Sequence, residues 1–228
     1  MNKIYTRINF VLIGIIFSLS SFTQNVVNIA CIGNGVTYGV GVENREKNNF
    51  PQQLQYLFGA NYKVTNFGVV NAPLLNSGIN GYSKSVVFKR SHDFNPSIVF
   101  VELGLDEIKV SDTSVISNFT STVDNIIQSY ANLSSRPRIV LLLPLPIFLK
   151  DSSLLDNSFI KNKIIPKIQK IAYEKNLEVL DLFSMFIDRE DLFLDKVHPS
   201  SLGGTLISKR LYELVKLNPA KASVVFSL

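Results

Sequence analysis

The sequence predicts an α/β protein, a three-layer α/β/α sandwich around a doubly wound, five-stranded parallel sheet. Three observations point there. Short apolar runs without in–out alternation recur along the chain, as strands buried on both faces require. Segments with apolar residues at helical spacing separate those runs. No internal repeat or low-complexity linker interrupts the alternation, so a single domain accommodates it. Composition agrees: 46% of the 228 residues are hydrophobic and 18% charged, which supports one sizeable core and argues against disorder.

The first segment stands apart. Lys3 and Arg7 precede an uncharged apolar run from Phe10 to Phe22 with a Ser/Thr-rich exit, the layout of a cleavable secretory signal over residues 1–23. A retained signal anchor is the competing reading, but the run is shorter than the about 20 residues that span a bilayer. The expectation is export to the periplasm or beyond, touching membrane only through this segment before cleavage. The formal charge of +5 drops by two without Lys3 and Arg7, and the remaining basic residues are scattered singly. No basic stripe with interleaved aromatics suggests nucleic acid. Cys31, the single cysteine, lies within an apolar run and reads as a buried structural thiol.

Val26–Ile32 reads as the first strand, ending at Gly33 and the closely spaced Gly35, Gly39 and Gly41. After the polar segment Glu43–Asn49, Phe50-Pro51 opens a helix, since proline suits a first turn, and Gly59 closes it. Tyr62–Phe67 is the second strand. Leu74–Arg90 has no strong period, and His92 just beyond it reads as an exposed loop residue. Ser97–Leu103 is the third strand, and apolar spacing from Val115 to Tyr130 predicts a helix. Ile139–Leu143 is the fourth strand. Ser158–Lys175 follows as a helix kinked or broken at Pro166. Leu177–Leu182 is the fifth strand, and Ser201–Leu217 the last helix. The domain therefore covers 24–217, with a tail at 218–228. Ligands of such sheets bind at the carboxyl ends of the strands. Chemistry is expected in the loops after the first three strands and in the loop before the last helix.

Those strand ends carry Tyr38-Gly39-Val40-Gly41-Val42-Glu43-Asn44-Arg45-Glu46-Lys47-Asn48, Asn66-Phe67-Gly68-Val69, Leu143-Pro144-Leu145-Pro146 and Asp195-Lys196-Val197-His198-Pro199. In this order the chain resembles the SGNH (GDSL) hydrolases, and within them an exported, sialate O-acetylesterase-like branch. The resemblance runs from about Val26 to Leu217. It implies the flavodoxin-like SGNH hydrolase fold and ester-hydrolase ancestry. With only two histidines, of which His92 lies far from the proposed face, neither a metal nor a cofactor is expected.

By that resemblance Asp195 orients the base His198, and Gly35 stands where the family places its nucleophilic serine. Glycine has no group to deprotonate, so an acyl-enzyme cannot form there by the family's route. Asn34 replaces the motif aspartate, keeping a side-chain oxygen suited to a cap. Asn71 stands where the family has a glycine oxyanion donor. Asp106 replaces an asparagine whose amide donates to the oxyanion, and an ionised carboxylate only accepts. Two negative charges about 4 Å apart repel by roughly 4 kcal/mol at an effective dielectric near 20. The expected site is thus Asn34, Gly35, Asn71 and Asp106 for binding, with the pair Asp195 and His198. This favours an exported pseudo-esterase that binds a carbohydrate or acylated small molecule. The alternative is an active carboxylic-ester hydrolase with rewired chemistry, through Asp106, through the Asp195–His198 pair acting on water, or through the Thr37 hydroxyl. Nothing in the sequence fixes the oligomeric state.

Overall fold

A computed structural model describes residues 26–70, 81–102, 116–150 and 156–217. The leader 1–23 and the tail 218–228 lie outside them. Five strands form one sheet: β1 (Val27–Gly33), β2 (Tyr62–Gly68), β3 (Ile98–Glu102), β4 (Arg138–Leu142) and β5 (Glu178–Leu180). They are all parallel, in the order β2-β1-β3-β4-β5. This is the expected doubly wound sheet. The order reverses between β1 and β3, the kind of switch point at whose carboxyl edge ligands of such sheets bind.

The main helices among the described residues are α1 (Gly35–Tyr38), α2 (Arg45–Asn48), α3 (Phe50–Phe58), α4 (Val86–Asp93), α5 (Phe119–Ala131), α6 (Ile165–Lys175), α7 (Leu182–Phe186) and α8 (Ser201–Leu217). Alternate residues of β1 feed two separate cores. Ala30 and Ile32 join Val123, Ile126 and Ile127 of α5 and Ile168 and Ile171 of α6. Ile29 and Cys31 join Phe50 and Leu54 of α3 and Ile207 and Leu211 of α8. A central strand serving both faces must be apolar throughout, which explains its sequence. Cys31 is completely buried, and burial pushes its thiol far above the ordinary range, as suits a structural residue.

Element boundaries follow local chemistry. Asn49 caps α3 by accepting from the Gln52 amide at 2.9 Å, Pro51 occupies its first turn, and Gly59 ends it at φ +69°. The fifth strand stops at Leu180 rather than Leu182. Asp181 there accepts from the Ser184 amide at 2.9 Å and from its hydroxyl at 2.7 Å, starting α7, which apolar spacing alone did not distinguish from strand. At Pro166 the expected break takes the form of a π turn over Ile160–Ile164 immediately before α6. The wider turn accommodates a residue with no N–H and a bulky ring.

His92 corrects a sequence expectation. It belongs to α4 and is half-buried, with its ring stacked on Tyr130 at 4.2 Å between centroids. Its nitrogens lie 2.8 Å from the Phe88 carbonyl and 3.0 Å from the Ser129 hydroxyl. The surrounding Lys89, Arg90 and Asp93 made the segment look like a loop, whereas Ser85 starts a helix there by accepting from the Phe88 amide at 3.0 Å.

Candidate functional site

The first loop of the site is set by two strand ends lying side by side. Gly33 and Gly68 are register partners at the ends of β1 and β2. A Cβ on Gly68 would fall 2.2 Å from the Tyr38 nitrogen, so the backbone of α1 rests directly on this glycine. A Cβ on Gly33 would fall 2.3 Å from the Thr37 hydroxyl and 2.6 Å from Oε2 of Glu102. Both positions need glycine because the chain packs where a side chain would go.

Gly35 is the first residue of α1, is buried, and has no positive φ. Its carbonyl accepts from the Gly39 and Val40 amides at 2.9 and 3.0 Å. Asn34 is fully buried, yet its side chain does not cap α1 as expected. Its backbone angles of −108° and −129° lie away from the extended conformation that aims a capping oxygen at the helix. Its backbone N–H donates instead to Oε2 of Glu102 at 3.3 Å.

Glu102 is the site residue that sequence reasoning missed. Only 4% exposed, it closes β3 in register with Leu142 and accepts from both the Asn34 amide and the Thr37 hydroxyl, each at 3.3 Å. The signal was a lone charge at the carboxyl end of an otherwise apolar strand. Thr37 is fully buried and its hydroxyl is engaged with this carboxylate, which argues against a displaced nucleophile there.

Asp195 and His198 come together as expected. Oδ2 of Asp195 lies 2.7 Å from Nδ1 of His198, while Oδ1 accepts from the His198 and Val197 amides at 2.6 and 3.0 Å. Partial burial by itself raises the Asp195 carboxyl. The His198 amide, the imidazole and the Val197 amide outweigh it and leave the pKa below the ordinary value. The loop is closed by a bridge between Phe193 and Pro199 and by the Leu194 amide donating to the His198 carbonyl at 2.9 Å. The Phe148 amide ties it to the segment after β4 through the Lys196 carbonyl at 2.8 Å. The imidazole is therefore oriented with one nitrogen on a carboxylate, the arrangement of a general base.

The two loops meet. A Cβ on Gly41, just past α1, would lie 3.2 Å from the side chain of Leu194, the residue before Asp195. Behind them α8 is bound to α3: the Gln53 amide nitrogen lies 3.0 Å from the Ser201 carbonyl, and the Ser208 hydroxyl donates to the Phe50 carbonyl at 2.8 Å. Asn34, Gly35, Asp195 and His198 are thus on adjoining loops. Asn71 and Asp106 lie outside the described residues. Among the described residues, no group of three or more His, Cys, Asp or Glu side chains is arranged to hold a metal ion.

Comparison with known proteins places this geometry in context. Residues 31–206 match the model of the GDSL-like lipase/acylhydrolase family. An acetylxylan esterase from Xylanibacter ruminicola is 28% identical over 216 residues, covering 87% of this chain and 44% of the relative. The chain therefore spans less than half the length of that relative. Among solved structures, a lipase/acylhydrolase from Enterococcus faecalis superposes with a TM-score of 0.64 at 16% identity, covering 88% of this chain and 100% of the other. A two-domain esterase active on acetylated mannans, co-crystallised with mannopentaose, superposes with a TM-score of 0.59 at 16% identity, covering 89% and 53%. At these identities the superpositions speak to the fold.

Proposed function

Since this chain belongs to the GDSL-like lipase/acylhydrolase family, we propose that it is an exported member that binds a carbohydrate or acylated ligand without cleaving it. The observation that carries this reading is Gly35 at the start of α1, where the resemblance puts the attacking hydroxyl. The neighbouring Thr37 hydroxyl is buried against Glu102 and offers no substitute. Losing one member of a serine triad leaves only about 10³–10⁴-fold catalysis over water, and that remainder needs an intact oxyanion hole. The sequence changes at Asn71 and Asp106 work against such a hole. A sugar ligand is supported by relatives described as an acetylxylan esterase and as an esterase active on acetylated mannans.

The experiment is acetate release from p-nitrophenyl acetate and acetylated xylan by the purified protein beside its His198→Ala variant. Equal, background-level rates are expected. Turnover well above the variant would overturn the reading. Export rests on Lys3, Arg7 and the Phe10–Phe22 run. N-terminal sequencing of the exported protein is expected to begin near residue 24, and an intact Met1 would count against cleavage.

A second reading is favoured by one observation, the 2.7 Å contact between Asp195 and His198. An imidazole oriented in this way accepts a proton from water as well as from serine. On this reading the protein is a slow ester hydrolase in which water attacks the acyl carbon directly. A His198-dependent rate with no burst of acyl-enzyme formation would identify it.

A further inference from the structure

A concavity lies beside the Gly35 loop. It has a volume of about 290 Å³ and sits between α3 and the edge strand β2, with Tyr38, Arg45, Glu46, Gln52 and Asn66 among its walls. It is slightly smaller than the roughly 300–1,000 Å³ of pockets that take drug-sized ligands, so it has room for one small ring rather than a chain. Val64 of β2 adds an apolar patch to an otherwise polar lining.

The charges in this pocket cancel. The Arg45 guanidinium lies 4.0 Å over the Tyr38 ring, donates to the Tyr38 carbonyl at 3.3 Å, and pairs with Glu46. Asn66 is committed to the fold, donating to the Thr37 carbonyl and accepting from the Gly68 amide, both at 2.8 Å. Two groups remain. Neither the Tyr38 hydroxyl nor the Gln52 side-chain amide forms a hydrogen bond to any other described residue, and they come from different elements, α1 and α3. A phenol and a primary amide together present donors and acceptors, as do neighbouring sugar hydroxyls. An anion or a cation would meet no unpaired opposite charge; a neutral polyol meets its complement.

The location adds to the chemistry. Tyr38 ends the short helix that Gly35 begins, so at 1.5 Å rise per residue the pocket wall starts about 5 Å along the helix axis from the first loop. We propose that this pocket is a subsite for one neutral sugar unit of an oligosaccharide whose ester-bearing unit lies at the Gly35 loop. This rests on the carbohydrate-binding reading given above and extends it to a second set of residues.

The test is isothermal titration of the purified chain with unacetylated mannopentaose and xylopentaose. Neither probe can be deacetylated, so hydrolysis does not enter the measurement. Binding of at least one is expected, and a Tyr38→Phe/Gln52→Ala double variant should weaken it about tenfold through two lost hydrogen bonds. Tyr38→Phe keeps the ring beneath Arg45, and the single variants, checked by thermal unfolding, guard against a folding defect in the double one. Undiminished binding by a folded double variant would overturn the subsite while leaving sugar binding elsewhere in place. Failure of the parent chain to bind either pentasaccharide would also overturn it. Acetate release in the separate hydrolysis assay would overturn the non-cleaving reading and leave the subsite standing.

Discussion

The Thr37 hydroxyl and the Asn34 amide donate to the same oxygen of Glu102, each at 3.3 Å. A carboxylate from the end of β3 thereby fixes the loop that follows β1, across the point where the sheet order reverses. Removing one donor leaves a buried acceptor less satisfied, which costs more than an average hydrogen bond. Thr37→Val, nearly the same size, is expected to destabilise the protein by about 1–3 kcal/mol in urea unfolding. A change within experimental error would show that the contact contributes nothing.

The glycine pair at the strand ends should respond unequally. A Cβ on Gly33 meets side-chain atoms of Thr37 and Glu102, whereas one on Gly68 meets the Tyr38 nitrogen at 2.2 Å and the Thr37 carbonyl carbon at 2.7 Å. Side chains can shift; the backbone of α1 cannot without leaving its place on β2. Gly33→Ala is expected to cost about 1–3 kcal/mol, the usual range for overpacking. Gly68→Ala should cost more and displace the first loop. Comparing the two urea midpoints tests the order, and the reverse order would refute it.

Arg138 and Glu178 form an ion pair across β4 and β5, with Nη2 of Arg138 2.5 Å from Oε2 of Glu178. The two side chains are 18% and 2% exposed, and the guanidinium also donates to the Leu214 carbonyl of α8 at 3.2 Å. Truncating one partner strands the other in a dry setting, so Arg138→Ala is expected to lose about 3–5 kcal/mol. Replacing both with apolar residues of similar size should recover much of that loss, because the desolvation of both charges disappears as well. Denaturant unfolding of the single and double variants decides the matter, and equal losses in both would argue against a buried ion pair.

These contacts mark where the sequence stopped being informative. Strand runs such as Ile29–Ile32 and Val99–Val101 were legible because a strand covered on both faces has to be apolar. The Asp195–His198 pair was legible because its spacing matches the Asp-x-x-His of the family the chain resembles. The structure adds that the three-residue offset lets the carboxylate reach both the amide and the ring of His198. Glu102 was not. Its partners are 65 and 68 positions away in sequence, and only the pairing of β1 with β3 brings them together. The Arg138–Glu178 pair was hidden for the same reason, each charge looking like an isolated polar residue at the start of a strand. Charges around His92 suggested solvent, while the opposite face of α4 packs on Tyr130.

Asp195 makes acid stability a specific test. Its folded pKa lies below the ordinary carboxylate value because the His198 and Val197 groups that donate to it outweigh partial burial. A depressed folded pKa means that the group stabilises the protein above its unfolded pKa, about 3.9, and that this contribution is lost as pH falls through the folded value. The Asp195 side chain is 51% exposed, so solvent screening keeps the effect small. Asp195→Asn is expected to lower the urea midpoint at pH 7, with the difference shrinking in strongly acidic solution. A difference independent of pH would show that the carboxylate's charge is irrelevant to the loop.

The last prediction concerns Gly35, where the resemblance puts the nucleophile. Gly35 is not at a positive φ, so serine can adopt its backbone conformation without strain. By the resemblance, a new hydroxyl alone would still face the changes at Asn71 and Asp106, positions that the family uses for the oxyanion rather than for the attack. The variant to build is therefore Gly35→Ser with Asn71→Gly and Asp106→Asn, keeping the Asp195–His198 pair. It is expected to hydrolyse p-nitrophenyl acetate well above the parent, whereas Gly35→Ser alone gains less. One oxyanion donor is worth about 10²–10³ in kcat, which sets the scale of the difference between the two variants. Adding His198→Ala to the triple variant should abolish the gain. If the triple variant stays at the parent's background while folded, the positions assigned to the nucleophile and the oxyanion donors are wrong.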